Sequence, residues 1–169
     1  MRPIGLNRRF EVRAECGWRV TRVVTVAVPA RLSIVTLGVA DLTRARSFYE
    51  KLGWKVTPGS NEEIVWFATA GSMLGLYPRS ELAADAGLPS GDRNAFGGVI
   101  LGLNVESEDM VDAVLAEALA AGARLISAPV KAEWGGYRGY FADPDNHPWE
   151  VLYHPYMSFR PDGSLDPLG

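Results

Sequence analysis

Cysteine is almost absent from this chain. Its single copy, Cys16, has no internal partner, so no disulfide framework holds the fold, and such a composition suits a reducing cytosol. Nothing beside Cys16 in sequence resembles the setting of a nucleophilic thiol. Long apolar runs are missing too. Val20 to Val28 is the most hydrophobic stretch near the N-terminus, but Arg22 interrupts it and it is far too short to span a bilayer. Arg2, Arg8, Arg9, Arg13 and Arg19 precede it in the manner of a targeting peptide, yet no long apolar core follows. Neither sign of charge dominates, with 17 Lys and Arg against 20 Asp and Glu, and no basic cluster outside the N-terminal segment is suited to tracking phosphates. The expectation is a soluble cytoplasmic protein that binds neither nucleic acid nor membrane.

What the chain does have is a repeat. At 169 residues and 47% hydrophobic content, it is long enough to bury a core without a staple. The segment from Leu32 to Pro78 is echoed by the one from Val99 to Tyr153. Each offers a short β-branched strand, an amphipathic helix, then a strand pair closed by a tight turn. Ile34 to Val39 falls on Ile100 to Val105, and Leu74-Gly75-Leu76 falls on Trp149-Glu150-Val151. Two similar halves imply one site cupped between them.

In the first half, Asp41 caps a helix from about Leu42 to Leu52 that Gly53 stops, with Leu42, Ala45, Phe48, Tyr49 and Leu52 on its apolar face. Strands are expected over Trp54 to Val56, Glu63 to Ala68 and Ser72 to Tyr77. In the second half, a helix from about Ser107 to Ala121 ends at Gly122, and strands follow over Arg124 to Ser127, Tyr137 to Ala142 and Trp149 to Tyr153. The run Asp143-Pro144-Asp145-Asn146-His147-Pro148 predicts a tight hairpin, since Asn146 tolerates a left-handed backbone. The connector from Pro78 to Gly97 holds a helical turn near Ser80 to Asp85, and serves either as a cover for the cup mouth or as a plain crossover. Residues 1–30 lie outside the repeat, with three readings open: an edge strand near Arg19 to Val28, a flexible arm, or residues upstream of the natural start. The domain proper is expected over 31–156, and an ordered turn in the tail over 157–169.

The turn Asp143-Pro144-Asp145-Asn146 followed by Trp149-Glu150-Val151, together with Val35 to Leu42 and Phe48-Tyr49-Glu50-Lys51-Leu52-Gly53-Trp54, resembles the vicinal oxygen chelate superfamily. That group includes glyoxalase I, bleomycin-resistance proteins, fosfomycin-resistance enzymes and extradiol dioxygenases. The resemblance covers roughly residues 32–155. It implies an α+β fold of paired βαβββ modules, forming a curled mixed sheet around a cup, commonly as a homodimer. It also implies a divalent metal held by His or Glu on the first and last strands of each module. Here those positions are Ile34, Gly75, Ile100 and Glu150, and only Glu150 can ligate. A divalent site needs several converging donors, which isoleucine and glycine do not supply. No cofactor is therefore expected. A divalent metal on a rebuilt site remains the alternative, with Glu150 and His154 on one strand face; His147 sits in the predicted turn.

Period-two alternation places Ile34, Thr36 and Gly38, Met73, Gly75 and Tyr77, Ile100 and Gly102, and Glu150 and Leu152 on the concave face. Trp66 and Tyr140 lie on short strands whose parity is less defined. The expected ligand contacts are Thr36, Trp66, Met73, Tyr77, Trp134, Tyr140 and Leu152, a mostly apolar lining suited to a small molecule. Glu150 is the candidate base or anchor for a cation. Its alternative is a relic acid satisfied by Tyr77 or a water. Trp134-Gly135-Gly136-Tyr137 forms either a mobile rim or an ordinary turn. Arg79 and Arg138 are available to an anionic ligand, but no role is assigned to them.

Three functions compete on this reading. The leading one is a metal-free glyoxalase-like protein that binds a small, largely apolar molecule, as bleomycin-resistance proteins do. The second is an enzyme of the same superfamily, either a metal-dependent lyase or dioxygenase with a relocated site, or a metal-free isomerase using Glu150. The third is a dimeric interaction module whose cavity is filled by its own side chains.

Overall fold

A computed structural model describes residues 7–13, 19–25, 32–89 and 97–166. Cys16, Pro29, Gly91 and the rest of the connector over 90–96 lie outside the described residues, as does the tail beyond 166. The chain divides into two units, 1–32 and 33–169. In the first, β1 (Asn7–Arg13) and β2 (Arg19–Thr25) form an antiparallel hairpin. The strand expected near Arg19 is thus paired within its own unit.

The second unit carries both halves of the repeat. Its elements are β3 (Ile34–Val39), α1 (Leu42–Lys51), β4 (Val65–Thr69), β5 (Ser72–Pro78) and α2 (Arg79–Asp85), followed by β6 (Leu101–Val105), α3 (Glu108–Ala121), β7 (Arg124–Lys131), β8 (Tyr137–Ala142) and β9 (Pro148–Tyr153). A small hairpin of β10 (Ser158–Phe159) and β11 (Leu165–Asp166) ends it. Hydrogen bonding yields two mixed sheets, β3-β5-β4 and β6-β9-β8-β7. In each, the first strand runs parallel to the last strand of its half, pairing Thr36 with Gly75 and Gly102 with Glu150.

Local chemistry explains the boundaries. The Asp41 carboxylate accepts the Arg44 N–H at 2.9 Å, and the Ser107 hydroxyl accepts that of Met110 at 3.2 Å, so each helix starts on a side-chain cap. Gly122 closes α3 at φ 115°, a conformation costly for any residue with a Cβ. The first half departs from expectation at Trp54 to Val56, where only Val56 bridges to Phe67. Gly53 and the turn at Pro58-Gly59 leave four residues between them, and Trp54 sends its ring into the aromatic core against Tyr49, Phe67 and Trp149. Strand β7 runs past Ser127 to Lys131 through two irregularities in its register.

Leu37, Val39, Leu74, Leu76 and Phe67 turn one face of the first sheet onto α1, while Phe141, Trp149 and Val151 do the same beneath α3. These strand positions alternate with the expected cup-lining ones. Tyr49, fully buried, joins the halves: its hydroxyl donates to Asp143 Oδ2 at 2.8 Å and accepts the Trp149 indole N–H at 3.3 Å. The turn itself is a clamp. Asn146 takes φ 69°, Asp143 Oδ1 accepts the N–H groups of Asp145 and His147, and Asp145 Oδ1 accepts both the Ala40 N–H and an Arg44 N–H at 2.8 Å.

Candidate functional site

The first sheet brings Thr36, Trp66 and Gly75 together. Trp66 stands opposite Gly75 in the antiparallel pair, which settles its parity onto the face of Gly75. A Cβ at position 75 would lie 2.5 Å from Trp66 Cζ3 and 3.2 Å from Thr36 Oγ1. The indole therefore fills the space into which a side chain at position 75 would project. Met73 pairs with Ile34 on one side and Ala68 on the other.

Tyr77 lies at the far end of β5. It pairs with Gly38 on β3, close to the start of α2. Burial, followed by Asp85, raises its pKa. Gly38 lets α2 lie close, with Arg79 Cα 3.2 Å from where a glycine Cβ would stand. Among the described residues, the hydrogen-bond partners of Glu150 are Arg138 and Tyr140, not Tyr77.

The partners of Glu150 come from β8. Tyr140 is its direct cross-strand neighbour, and the Tyr140 hydroxyl donates to Glu150 Oε1. Arg138, opposite Leu152, reaches the same oxygen at 3.1 Å. The Arg138 guanidinium lies 5.8 Å from the Trp134 ring centre and 5.6 Å from that of Tyr140, within range of cation–π attraction. Burial raises the Tyr140 pKa, the hydrogen bond and charge of Glu150 raise it further, and Arg138 opposes them, so the phenol stays protonated. Arg138 sits on a strand beside the acid, where alternation from Tyr140 would have found it.

Trp134 belongs to a tight turn. Gly135 takes φ 93°, the Ala132 N–H donates to the Gly136 carbonyl at 2.8 Å, and the indole folds so closely over Gly136 that a Cβ there would overlap the ring. The same ring stacks on His154 at 5.1 Å and 18°. His154 Nδ1 accepts the Tyr156 N–H at 3.2 Å. His147 binds both oxygens of Asp143, at 3.1 and 2.9 Å. Burial alone would raise the Asp143 pKa, but hydrogen bonds and charge from His147 and the Tyr49 hydroxyl outweigh it and hold the group below the usual carboxylate value.

The residues at the positions where the resemblance implies metal ligands do not fit a divalent ion. Ile34, Gly75 and Ile100 bear no donor, position 75 is covered by Trp66, and Glu150 Oε1 is already taken. Among the described residues, no group of three or more His, Cys, Asp or Glu side chains converges. No helix among them is long and apolar enough to cross a membrane.

Comparison with known proteins agrees with the fold. A glyoxalase-related enzyme from Fulvimarina pelagi is 31% identical, with a TM-score of 0.75, over 82% of this chain and 98% of that one. A glyoxalase/bleomycin resistance protein/dioxygenase family enzyme from Burkholderia phytofirmans PsJN gives 23% identity and a TM-score of 0.66, over 73% of this chain and 98% of that one. A lactoylglutathione lyase from Agrobacterium tumefaciens gives 24% and 0.57, over 74% and 94%. These last two carry the fold alone. No curated protein matches the chain. The profile of the Glyoxalase/Bleomycin resistance protein/Dioxygenase superfamily matches residues 31–151, so the chain belongs to that superfamily.

Proposed function

We propose that this protein is a metal-free member of its superfamily that binds a small, largely apolar molecule on the faces carrying Thr36, Trp66 and Met73 in one half and Trp134, Tyr140, Glu150 and Leu152 in the other. The observation that carries the proposal is the Trp66 ring lying across Gly75, an inherited ligand position that has become an aromatic wall. On the second sheet, Glu150 Oε1 is held by Arg138 and Tyr140, while Oε2 has no protein partner among the described residues. That oxygen is the hydrogen-bond anchor for the polar end of the ligand, and the exposed indole of Trp134 is a surface for its flat part. The same residues favour binding over metal-assisted turnover because one carboxylate cannot hold a divalent ion alone.

The protein acts as a homodimer on this reading. Leu125, Ile126 and Val130 leave large apolar surfaces exposed along β7, an edge strand.

The test pairs metal analysis with ligand capture. Protein purified without chelator, then incubated with Ni, Zn, Mn or Fe and desalted, is expected to retain far less than one ion per chain. Anilinonaphthalene sulfonate, used as an apolar aromatic probe, is expected to quench tryptophan fluorescence saturably, and Trp134→Ala and Trp66→Leu should each weaken that response. Stoichiometric metal that is lost in Glu150→Gln would overturn the proposal, as would saturable probe binding indifferent to both tryptophans.

A further inference from the structure

In each half the parallel strand pair carries a glycine on its cup-facing side: Gly75 opposite Thr36 in the first, and Gly102 opposite Glu150 in the second. The two glycines differ in what covers them. The Trp66 ring fills the space over Gly75, whereas nothing stands within 4 Å of where a Cβ at Gly102 would be. Gly102 is exposed inside β6, where glycine weakens a strand and often marks a bulge or the close approach of another group. The pairing of β6 with β9 runs through it without a register shift, so no bulge accounts for it.

Glu150 stands between this opening and β8. Its donors, Arg138 and Tyr140, both come from β8 and both bind Oε1, while its neighbour on the β6 side has no side chain. Both members of the ion pair remain within reach of a ligand, with the Arg138 side chain 38% and the Glu150 side chain 21% exposed. Arg138 Nη1 lies 3.1 Å from Glu150 Oε1, so a donor group and an acceptor group stand side by side. The rings of Trp134 and Tyr140 hold the guanidinium there. The two charges cancel. An anion drawn to Arg138 meets the carboxylate beside it, and a cation drawn to Glu150 meets the guanidinium. A neutral group that donates to one and accepts from the other meets no like charge and makes two charge-assisted hydrogen bonds. Ile100, exposed at 47%, and Leu152 add hydrocarbon to the same face.

We infer that this part of the second sheet selects a neutral planar amide or lactam, its N–H donated to Glu150, its carbonyl accepting from Arg138, and its flat body in the open space over Gly102 beside Ile100 and Leu152. The Trp134 indole flanks the pair on the β8 side. The inference rests on the small-molecule reading of the cup given above and names the chemical class that the cup takes.

The experiment is calorimetric titration of the full chain with 2-naphthamide, 2-naphthoate and 2-naphthamidine, which share one shape and are neutral, anionic and cationic. The amide is expected to bind saturably, and each charged relative at least about fivefold more weakly. Gly102→Leu should abolish amide binding by filling the open space. Gly102 is not among the glycines with positive φ and has no neighbour there, so the variant is expected to fold, with circular dichroism as the check. Glu150→Gln leaves Arg138 uncompensated and should turn the preference to 2-naphthoate, while Arg138→Met should turn it to 2-naphthamidine. A merely structural role for the pair would not reverse the order. The inference is overturned by absence of saturable 2-naphthamide binding, by a charged relative matching the amide, by amide binding that survives Gly102→Leu, or by an order unchanged in both charge variants. Fluorescent-probe binding that depends on Trp66 and Trp134 upholds the small-molecule reading under every one of these outcomes, so the two fail separately.

Discussion

Replacing Tyr49 by Phe removes one oxygen and nothing else, yet that oxygen joins the two halves of the repeat. In the folded protein it donates to Asp143 at 2.8 Å and accepts from Trp149 at 3.3 Å, with Tyr49 fully buried and Asp143 nearly so. A hydrogen bond to a charged group contributes about 1.5–3 kcal/mol, and leaving a buried donor unpaired costs about 1–3 kcal/mol. The two losses share one atom and do not simply add, so the expected destabilisation at neutral pH is about 2–4 kcal/mol. In urea this lowers the unfolding midpoint by about 1–2 M for a domain of this size.

The pH dependence is the sharper part of the test. Asp143 has its folded pKa held below the unfolded one, so its contribution is complete above the unfolded carboxylate value of about 3.9 and is lost as pH falls through the folded value. The Tyr49 hydroxyl is one of the donors that hold it down. The gap between wild type and Tyr49→Phe should therefore be widest near neutrality and should narrow once acid protonates Asp143. Urea titrations followed by tryptophan fluorescence at several pH values measure it. A loss below about 0.5 kcal/mol at neutral pH, the size of an ordinary surface change, would refute the reasoning. So would a gap that does not shrink on acidification.

Gly75→Ala places a methyl group 2.5 Å from the Trp66 ring and should cost about 1–3 kcal/mol, but close to nothing in a Trp66→Leu background. A double-mutant cycle in urea reads this directly, and equal costs in both backgrounds would mean that the indole does not occupy that space. The apolar edge at β7 predicts a dimer by light scattering, shifted toward monomer by Ile126→Lys with Val130→Lys. A wild-type monomer at high micromolar concentration would refute the dimer.

Much of this fold was readable in the amino-acid order. The cap Asp41, the stop at Gly122 and the left-handed Asn146 are local signals, and each appears where its chemistry placed it. The repeat register set Gly75 against Glu150, and the pairing of Thr36 with Gly75 and of Gly102 with Glu150 reproduces it. The site's polar contacts were harder to see. That Tyr140 and Arg138, and not Tyr77, engage Glu150 depends on how β8 registers against β9. Asp143 and Asp145 read as turn formers from composition. Their bonds to Tyr49, Ala40 and Arg44 join residues about a hundred positions apart, beyond any local pattern.

That separation has a consequence for how the protein is made. Tyr49 leaves the ribosome 94 residues ahead of Asp143, so for many seconds at ordinary rates of synthesis the first half exists with a core aromatic whose hydroxyl has nothing to meet. The two halves are paired alike, but the earlier one reaches its final packing only when the last turn arrives. A translational pause before residue 143 would therefore lengthen the life of an unfinished species.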